Sequence, residues 1–248
     1  MADKTTYVLV HGFWLGAWAW DEVVPGLTRT GAEVEAVTLP GLESPTADRR
    51  TISLEDHVEH VVSVIDRTPG RIVLVGHSAG GAVVHAAVDR RPTRVAHAVY
   101  VDTRPLPDGV ALNPTLAGSG HEVPLRAWED FQPGQLDDLD EAMLEHFAKH
   151  GTSHPARAAR DPQRLSDVRR YDVPATIITT TSTEATMRKR AADGDPYFTE
   201  LPLITDLTFI ELPTGHYPMF SRPDDLATAI AESSHADARE PDDGPGQR

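Results

Sequence analysis

The chain reads as an α/β domain: about six mostly parallel strands, flanked by helices, with a small helical cap inserted late. Three observations predict this. Short β-branched runs alternate with amphipathic stretches, the order that builds a parallel sheet with helices on its faces. The run Arg71-Ile72-Val73-Leu74-Val75 is almost wholly apolar, as a strand buried on both faces should be. The stretch between Thr103 and Asp172 carries no strand signal and interrupts the alternation.

The elements follow in order. Tyr7 to Val10 is a strand, followed by a loop rich in Gly and Trp. Ala17 to Arg29 reads as a helix, and Glu33 to Thr38 as a strand stopped by Pro40-Gly41. Ser53 stands at a helix N-cap, with Asp56 where a capping box places its acid. The helix behind it shows an apolar stripe of Leu54, Val58, Val61, Val62 and Ile65. Strands are expected at Arg71 to Val75, Val95 to Val101, Ala175 to Thr179 and Leu207 to Leu212, and a closing helix at Pro223 to Ser233. Residues 1–103 and 172–233 form the expected core. Residues 104–171, with Leu136, Leu139, Met143, Leu144 and Phe147 at helical spacing, form the expected cap. The polar, Pro- and Gly-rich end, 234–248, reads as a disordered tail.

Composition narrows the function classes. With 40% hydrophobic residues over 248, there is enough to bury a core. The net charge of −15 gives an acidic surface that repels phosphate backbones and anionic lipid, so neither nucleic acid nor membrane is an expected partner. No cysteine is present, which removes disulfides, thiolate nucleophiles and Cys-ligated zinc. The start shows no basic and apolar leader, and no run approaches the ~20 apolar residues of a membrane span. The expectation is a cytoplasmic protein.

The chemistry-bearing motif is Gly76-His77-Ser78-Ala79-Gly80-Gly81. A bare G-x-S-x-G arises by chance in about one chain in ten of this length, so its setting carries the weight. It follows the most apolar strand and opens a helical pattern. A serine hydroxyl is a poor nucleophile until it is lifted clear of the sheet and given a base. A sharp strand-to-helix turn lifts it, crowding the residues two positions either side, where Gly76 and Gly80 stand. The helix that follows aims amide N–H groups at the reacting oxygen. The loop His11-Gly12-Phe13-Trp14, at the end of the first strand, can bring one more. The expected oxyanion donors are the backbone N–H groups of Phe13 and Ala79.

Of twelve histidines, His216 stands out, on a Gly-led loop just past the last strand. It is the expected base. His77 is expected to be structural or pocket-lining. His57 and His60 lie on an amphipathic helix and are expected to be solvated. His146, His150 and His154 have suggestive spacing, but no carboxylate completes a metal site, and no metal or cofactor is expected. The acid has competing candidates: Asp102, at the end of Val95 to Val101; Glu184, after Ala175 to Thr179; and Asp206, which begins a strand at the wrong edge and reads as structural. Asp102 is favoured. Leu125, Trp128, Phe131 and Met143 of the cap, with Trp14 beside the elbow and Met219 beside the histidine, suggest an apolar pocket.

With these residues in hand, the chain resembles the α/β-hydrolase superfamily over about residues 5–233. More narrowly, it is similar to the small group that contains plant methyl-ester esterases, hydroxynitrile lyases and many actinobacterial hydrolases. VLVHGFWLGAWAW, VLVGHSAGG, VYVDTRPLPDG and LPTGHYPMFSRP carry the resemblance. It implies Ser78 and His216 as catalytic residues and Phe13 and Ala79 as oxyanion donors. The superfamily's usual acid position, after Ala175 to Thr179, holds only Thr and Ser until Glu184; bacterial relatives carry an Asp matched here by Asp102. The Thr and Lys of hydroxynitrile lyases are replaced by Gly12 and Tyr217, which disfavours lyase chemistry. The first strand begins too early for the N-terminal antiparallel hairpin of larger members. The expectation is a serine hydrolase that cleaves a small to medium, uncharged or weakly polar ester or lactone through an acyl-enzyme on Ser78. Two rivals remain: a lyase, isomerase or cyclase that uses the same residues as acid and base, and a non-catalytic ligand-binding protein.

Overall fold

The computed structural model describes residues 4–114 and 120–235. Six strands form one sheet: β1 (Thr5–Val10), β2 (Glu33–Val37), β3 (Arg71–His77), β4 (Val95–Val101), β7 (Ala175–Thr179) and β8 (Leu207–Glu211). Their order is β2-β1-β3-β4-β7-β8, and every neighbouring pair is parallel. The sheet expected from the sequence is therefore present, with strand ends shifted by no more than two residues.

Side chains alternate across it, as the two-residue period of a strand requires. Val8, Val10, Ile72 and Leu74 pack on one face with Val58, Val61 and Ile65 of α2 (Leu54–Arg67) and Val84 and Val88 of α3 (Gly80–Arg90). Tyr7, Leu9, Val73 and Val75 pack on the other with Leu27 of α1 (Val24–Thr28) and Leu226 and Ile230 of α8 (Pro223–His235). The α2 cap forms as read: Ser53 Oγ accepts from the Asp56 amide and Asp56 Oδ2 from the Ser53 amide.

Two expectations are corrected. The helix expected from Ala17 to Arg29 is split into a short 3₁₀ turn, Ala17–Trp20, and α1. Pro25 has no N–H to continue a ladder, so it sits in the first turn of a new helix. The segment 104–171 is only partly helical. It holds α4 (Glu141–His150) and α5 (Ala156–Arg160), but also a two-residue antiparallel pair, β5 (Glu122–Val123) with β6 (His154–Pro155), and a bridge from Ala111 to Pro162. Prolines at 105, 107, 114, 124, 133, 155 and 162 break it into short pieces. Leu136 and Leu139 precede α4 instead of lying on it.

Where this segment rejoins the core it is tied by buried polar groups. Asp89 of α3 accepts from the Ser166 and Asp167 amides and pairs with Arg170, which also meets Glu200. Three α-helices follow β7 among the described residues: α6 (Glu184–Ala192), α7 (Pro218–Ser221) and α8. Ser234, the first residue of the expected tail, still belongs to α8, where its hydroxyl meets that of Tyr7 at 2.7 Å. The rest of that tail, from 236, lies outside the described residues. No helix among the described residues is long and apolar enough to cross a membrane.

Candidate active site

The site begins with a bend. Ser78 follows β3 directly, with φ +50, in the left-handed region that residues with a side chain avoid. Its amide donates to the Val101 carbonyl at 3.0 Å, so the neighbouring strand holds the bend in place. Glycine is required around it. A Cβ on Gly76 would lie 2.7 Å from the Gly80 carbonyl oxygen, and one on Gly80 would lie 2.6 Å from the carbonyl oxygens of Val10 and His11. These contacts let α3 start close under the bend and bring the end of β1 beside it.

Asp102 ends β4 in the same way. Its φ is +45, and its amide donates to the Ile178 carbonyl at 2.8 Å. Four non-glycine residues have positive φ among the described residues: Trp14, Ser78, Asp102 and Asp138. The first three line one cavity, and such backbone costs about 1–3 kcal/mol each. Strain is thus concentrated where the chain reaches the top of the sheet.

A relay of hydrogen bonds crosses this edge. The Ser78 Oγ lies 2.9 Å from His216 Nε2, and His216 Nδ1 lies 2.6 Å from Asp102 Oδ2. The network assigns the ring proton to Nδ1, donated to the carboxylate, and leaves Nε2 to accept from the serine. Asp102 is further held by the Thr180 and Thr181 amides, each 3.1 Å from Oδ1, and by the Thr181 hydroxyl, 2.9 Å from Oδ2. Burial alone would raise this carboxyl; the His216 bond and charge and the Thr181 donors outweigh it and hold it well below the usual carboxylate range.

His216 is held from two sides. Its amide donates to the Gln135 carbonyl at 2.8 Å, and its own carbonyl accepts from His77 Nε2 at 2.7 Å. Burial and the nearby His216 push His77 down to about 3, so it stays neutral. The Gly215 before it fits because a Cβ there would lie 2.3 Å from the Asp137 carbonyl oxygen.

The relay opens into a cavity of about 290 Å³. Phe13 and Ala79 both line it, and neither amide has a hydrogen-bond partner among the described residues. Trp14 lines it too, its indole N–H donated to the Val123 carbonyl at 3.2 Å. The apolar pocket expected from the cap is corrected on two counts. Trp128 is not on the wall; it packs against Phe131 and Phe147. Met219 is fully buried in the core beneath, because α7 turns it inward and leaves Tyr217 on the cavity side. Of the cap hydrophobics named from sequence, Phe131 reaches the wall, joined by Leu106 and Leu112 but also by Arg104, Arg126, Asn113 and Gln135.

The remaining candidates fall elsewhere. Glu184 opens α6 and pairs with Arg188 at 2.6 Å. Asp206 is exposed at the start of β8. His57 is not solvated: it is buried, its Nε2 donating to the Pro40 carbonyl at 2.9 Å, and burial pushes it down to about 4. It lies on the apolar side of α2, three residues from Leu54. His146 and His150 pack against one another with tilted rings, while His154 is buried against Phe13 and His57. No group of three or more His, Asp or Glu among the described residues could hold a metal. His77, expected to be structural or pocket-lining, is both: it anchors the His216 carbonyl and lines the cavity. Sequence reasoning missed Thr181 as a donor to Asp102, and Arg104 and Arg126 on the wall, none of which carried a signal.

Parallel sheet, bend and relay together define a class. The chain belongs to the alpha/beta hydrolase family, whose sequence profile matches residues 7–229. Within that class it is similar to plant methylesterases. Methylesterase 8 of Arabidopsis thaliana is 37% identical over 108 residues, 42% of this chain and 39% of that protein. Methylesterase 1 of Arabidopsis thaliana is 32% identical over 152 residues, 57% of this chain and 56% of that protein. Across such relatives the matched stretch spans between 23% and 61% of their own length. Among solved structures, a methylesterase from Arabidopsis superposes with a TM-score of 0.73 at 20% identity, covering 92% of this chain and 98% of that one. A pyrethroid hydrolase from Sphingobium faniae gives 0.68 at 21% identity, covering 94% and 98%. At that identity they share the fold.

Proposed function

We propose that this protein is a serine hydrolase that cleaves a small carboxylic ester through an acyl-enzyme on Ser78. The observation that carries the reading is the continuous relay from the Ser78 hydroxyl through His216 to Asp102, at 2.9 and 2.6 Å. His216 Nε2 takes the hydroxyl proton as Ser78 Oγ attacks the ester carbonyl. Asp102 stabilises the imidazolium that forms and keeps its ring oriented. The free amides of Phe13 and Ala79 receive the oxyanion, a contribution of about 3–4 kcal/mol per donor in comparable sites. His216 then protonates the departing alcohol. Water, deprotonated by the same ring, releases the acid and restores Ser78.

The similarity to methylesterases supports a carboxylic ester with a small alcohol part. The cavity of about 290 Å³ is at the lower end of ligand pockets, which supports a small acid part as well. In this reading 1–103 and 172–233 are the catalytic core, and 104–171 is the cap that closes the cavity from above. The experiment is labelling by a fluorophosphonate probe alongside p-nitrophenyl acetate hydrolysis. Wild type should be labelled and active; Ser78→Ala should lose both, with its circular dichroism unchanged. Equal labelling of the two proteins would sink the proposal. Turnover of other substrates without any trapped acyl-enzyme would favour lyase or isomerase chemistry instead.

A further inference from the structure

The wall of the cavity carries an unspent charge. Among the described residues Asp102 is its one carboxylate, and both oxygens are engaged by His216, Thr180 and Thr181. Against it stand two guanidinium groups, Arg104 and Arg126. The chain has 38 acidic residues to 23 Lys and Arg, so carboxylates are in excess, and most of its arginines have taken one. Arg126 has not. Half-buried on the cavity wall, it makes no hydrogen bond or ion pair among the described residues. Its guanidinium carbon lies over the Trp14 ring, 5.5 Å from the ring centre.

That contact sets a position. Trp14 is fixed by its own backbone bend and by its bond to Val123, so the cation rests on a rigid platform and not on a swinging chain. Its charge is felt at the Tyr217 phenol, which also faces the cavity and directly follows His216. Arg104 lies on the same wall, stacked on Phe198 at 4.8 Å, with its Nε bound to the Tyr197 carbonyl. The carboxylate whose charge acts on it, Asp195, is already paired with Arg190. A planar guanidinium with free N–H groups, held in a half-buried wall, matches a carboxylate by two parallel hydrogen bonds.

We propose that the cavity takes esters that carry a second, ionised carboxylate, the half-esters of short dicarboxylic acids, with Arg126 as the residue that binds that carboxylate and Arg104 adding to its field. This rests on the serine-esterase reading and replaces the uncharged substrate expected from sequence. The cavity volume of about 290 Å³ limits the acid to a short chain.

The test separates binding from turnover. In the Ser78→Ala protein, calorimetry with monomethyl glutarate and with the neutral methyl pentanoate reads the preference directly. The half-ester should bind at least about tenfold tighter, the scale of a charged hydrogen-bond pair. Arg126→Gln in the same background should erase most of that ratio, Arg126→Lys should keep part of it, and Arg104→Gln should reduce it less. In the active protein, the kcat/KM ratio of p-nitrophenyl hemiglutarate to p-nitrophenyl pentanoate should fall about tenfold in Arg126→Gln, through KM and not kcat. Equal binding of the two methyl esters, or a ratio untouched by Arg126→Gln in a folded protein, overturns the inference. Failure of fluorophosphonate labelling would strike the esterase reading alone, because the calorimetric preference is measured without catalysis.

Discussion

The two halves of the relay, Ser78 with Asp102 and His216 between them, meet across two hydrogen bonds and are held by different means. Ser78 and Asp102 are fixed by the sheet: each sits on a positive-φ bend, and each donates its amide to the next strand, at 3.0 and 2.8 Å. His216 is fixed by what covers the sheet. Its amide is tied to Gln135, Gly215 packs on the Asp137 backbone, and the Thr214 hydroxyl donates to Asp138. Among the described residues, His77 gives the core its hydrogen bond to the His216 backbone. The proposed nucleophile and acid are thus held by the sheet, while the proposed base depends on the segment 104–171, broken by prolines. A change in that segment should disturb the base and spare the nucleophile.

Removing the acid should have the largest effect. Asp102→Asn leaves the shape but not the charge, and it favours the wrong ring tautomer, so kcat should drop about 10⁴-fold with little change in melting temperature. Glu184→Gln, assayed beside it, should stay within about twofold, since Glu184 pairs with Arg188 on the surface of α6. If the two variants exchange these outcomes, the acid belongs to the loop and not to the sheet.

Acid should strike the core half next. Burial pushes His11 and His57 down to about 4 and His77 to about 3, all beneath the bend or the end of β1. Unfolded, each would titrate near 6.5, so between pH 6.5 and about 4 the unfolded chain takes up protons that the folded one refuses. Stability is therefore full above pH 6.5 and falls as the pH is lowered, by about 1.4 kcal/mol per unit for each group, or roughly 4 kcal/mol per unit together. Urea melts at pH 7.5, 6 and 5 would read this slope. A flat profile would show that these rings are not held neutral. His57→Asn should lessen the slope.

The cap-side tie should matter less, but selectively. A Cβ on Gly215 would lie 2.3 Å from the Asp137 carbonyl oxygen, so Gly215→Ala must push the His216 loop away from the cap. A misplacement of about 1 Å costs about 10²-fold in rate. Fluorophosphonate labelling should slow in step, because the base that activates Ser78 has moved. Gly80→Ala would press instead on the Val10 and His11 carbonyls and should appear as lost stability. Equal thermal losses in both variants would erase the distinction between the halves.

The same division explains what was legible in the sequence. The strands of the sheet and the α2 capping box could be read because periodicity and local hydrogen bonding write them into neighbouring residues. The bend could be read because its glycines are a steric necessity. The cap could not: its prolines break the helical period, and its contacts join residues some eighty positions apart, such as Gln135 with His216. Trp128 and Met219 were wrongly placed on the cavity wall, since hydrophobicity alone does not say which face of a segment looks inward. Arg126 left no trace, because an arginine in an acidic chain looks like any other surface charge until its lack of a partner is visible.

Thr181 offers the finest probe of the sheet half. It gives Asp102 both an amide and a hydroxyl, the latter 2.9 Å from the oxygen that also accepts from His216. Thr181→Val keeps the shape and the amide but removes the hydroxyl. A hydrogen bond to a charged group is worth about 1.5–3 kcal/mol when nothing replaces it. Thr181 is exposed, however, and water can replace most of that bond. The Thr180 and Thr181 amides also remain, so the carboxylate stays ionised and in place. The expected loss is about threefold in kcat, with KM unchanged, because the hydroxyl steadies the acid and does not touch the substrate. A loss as large as that of Asp102→Asn would mean that the sheet alone does not position the acid. In that case the loop after β7 would be as much a part of the relay as the strand that ends in Asp102.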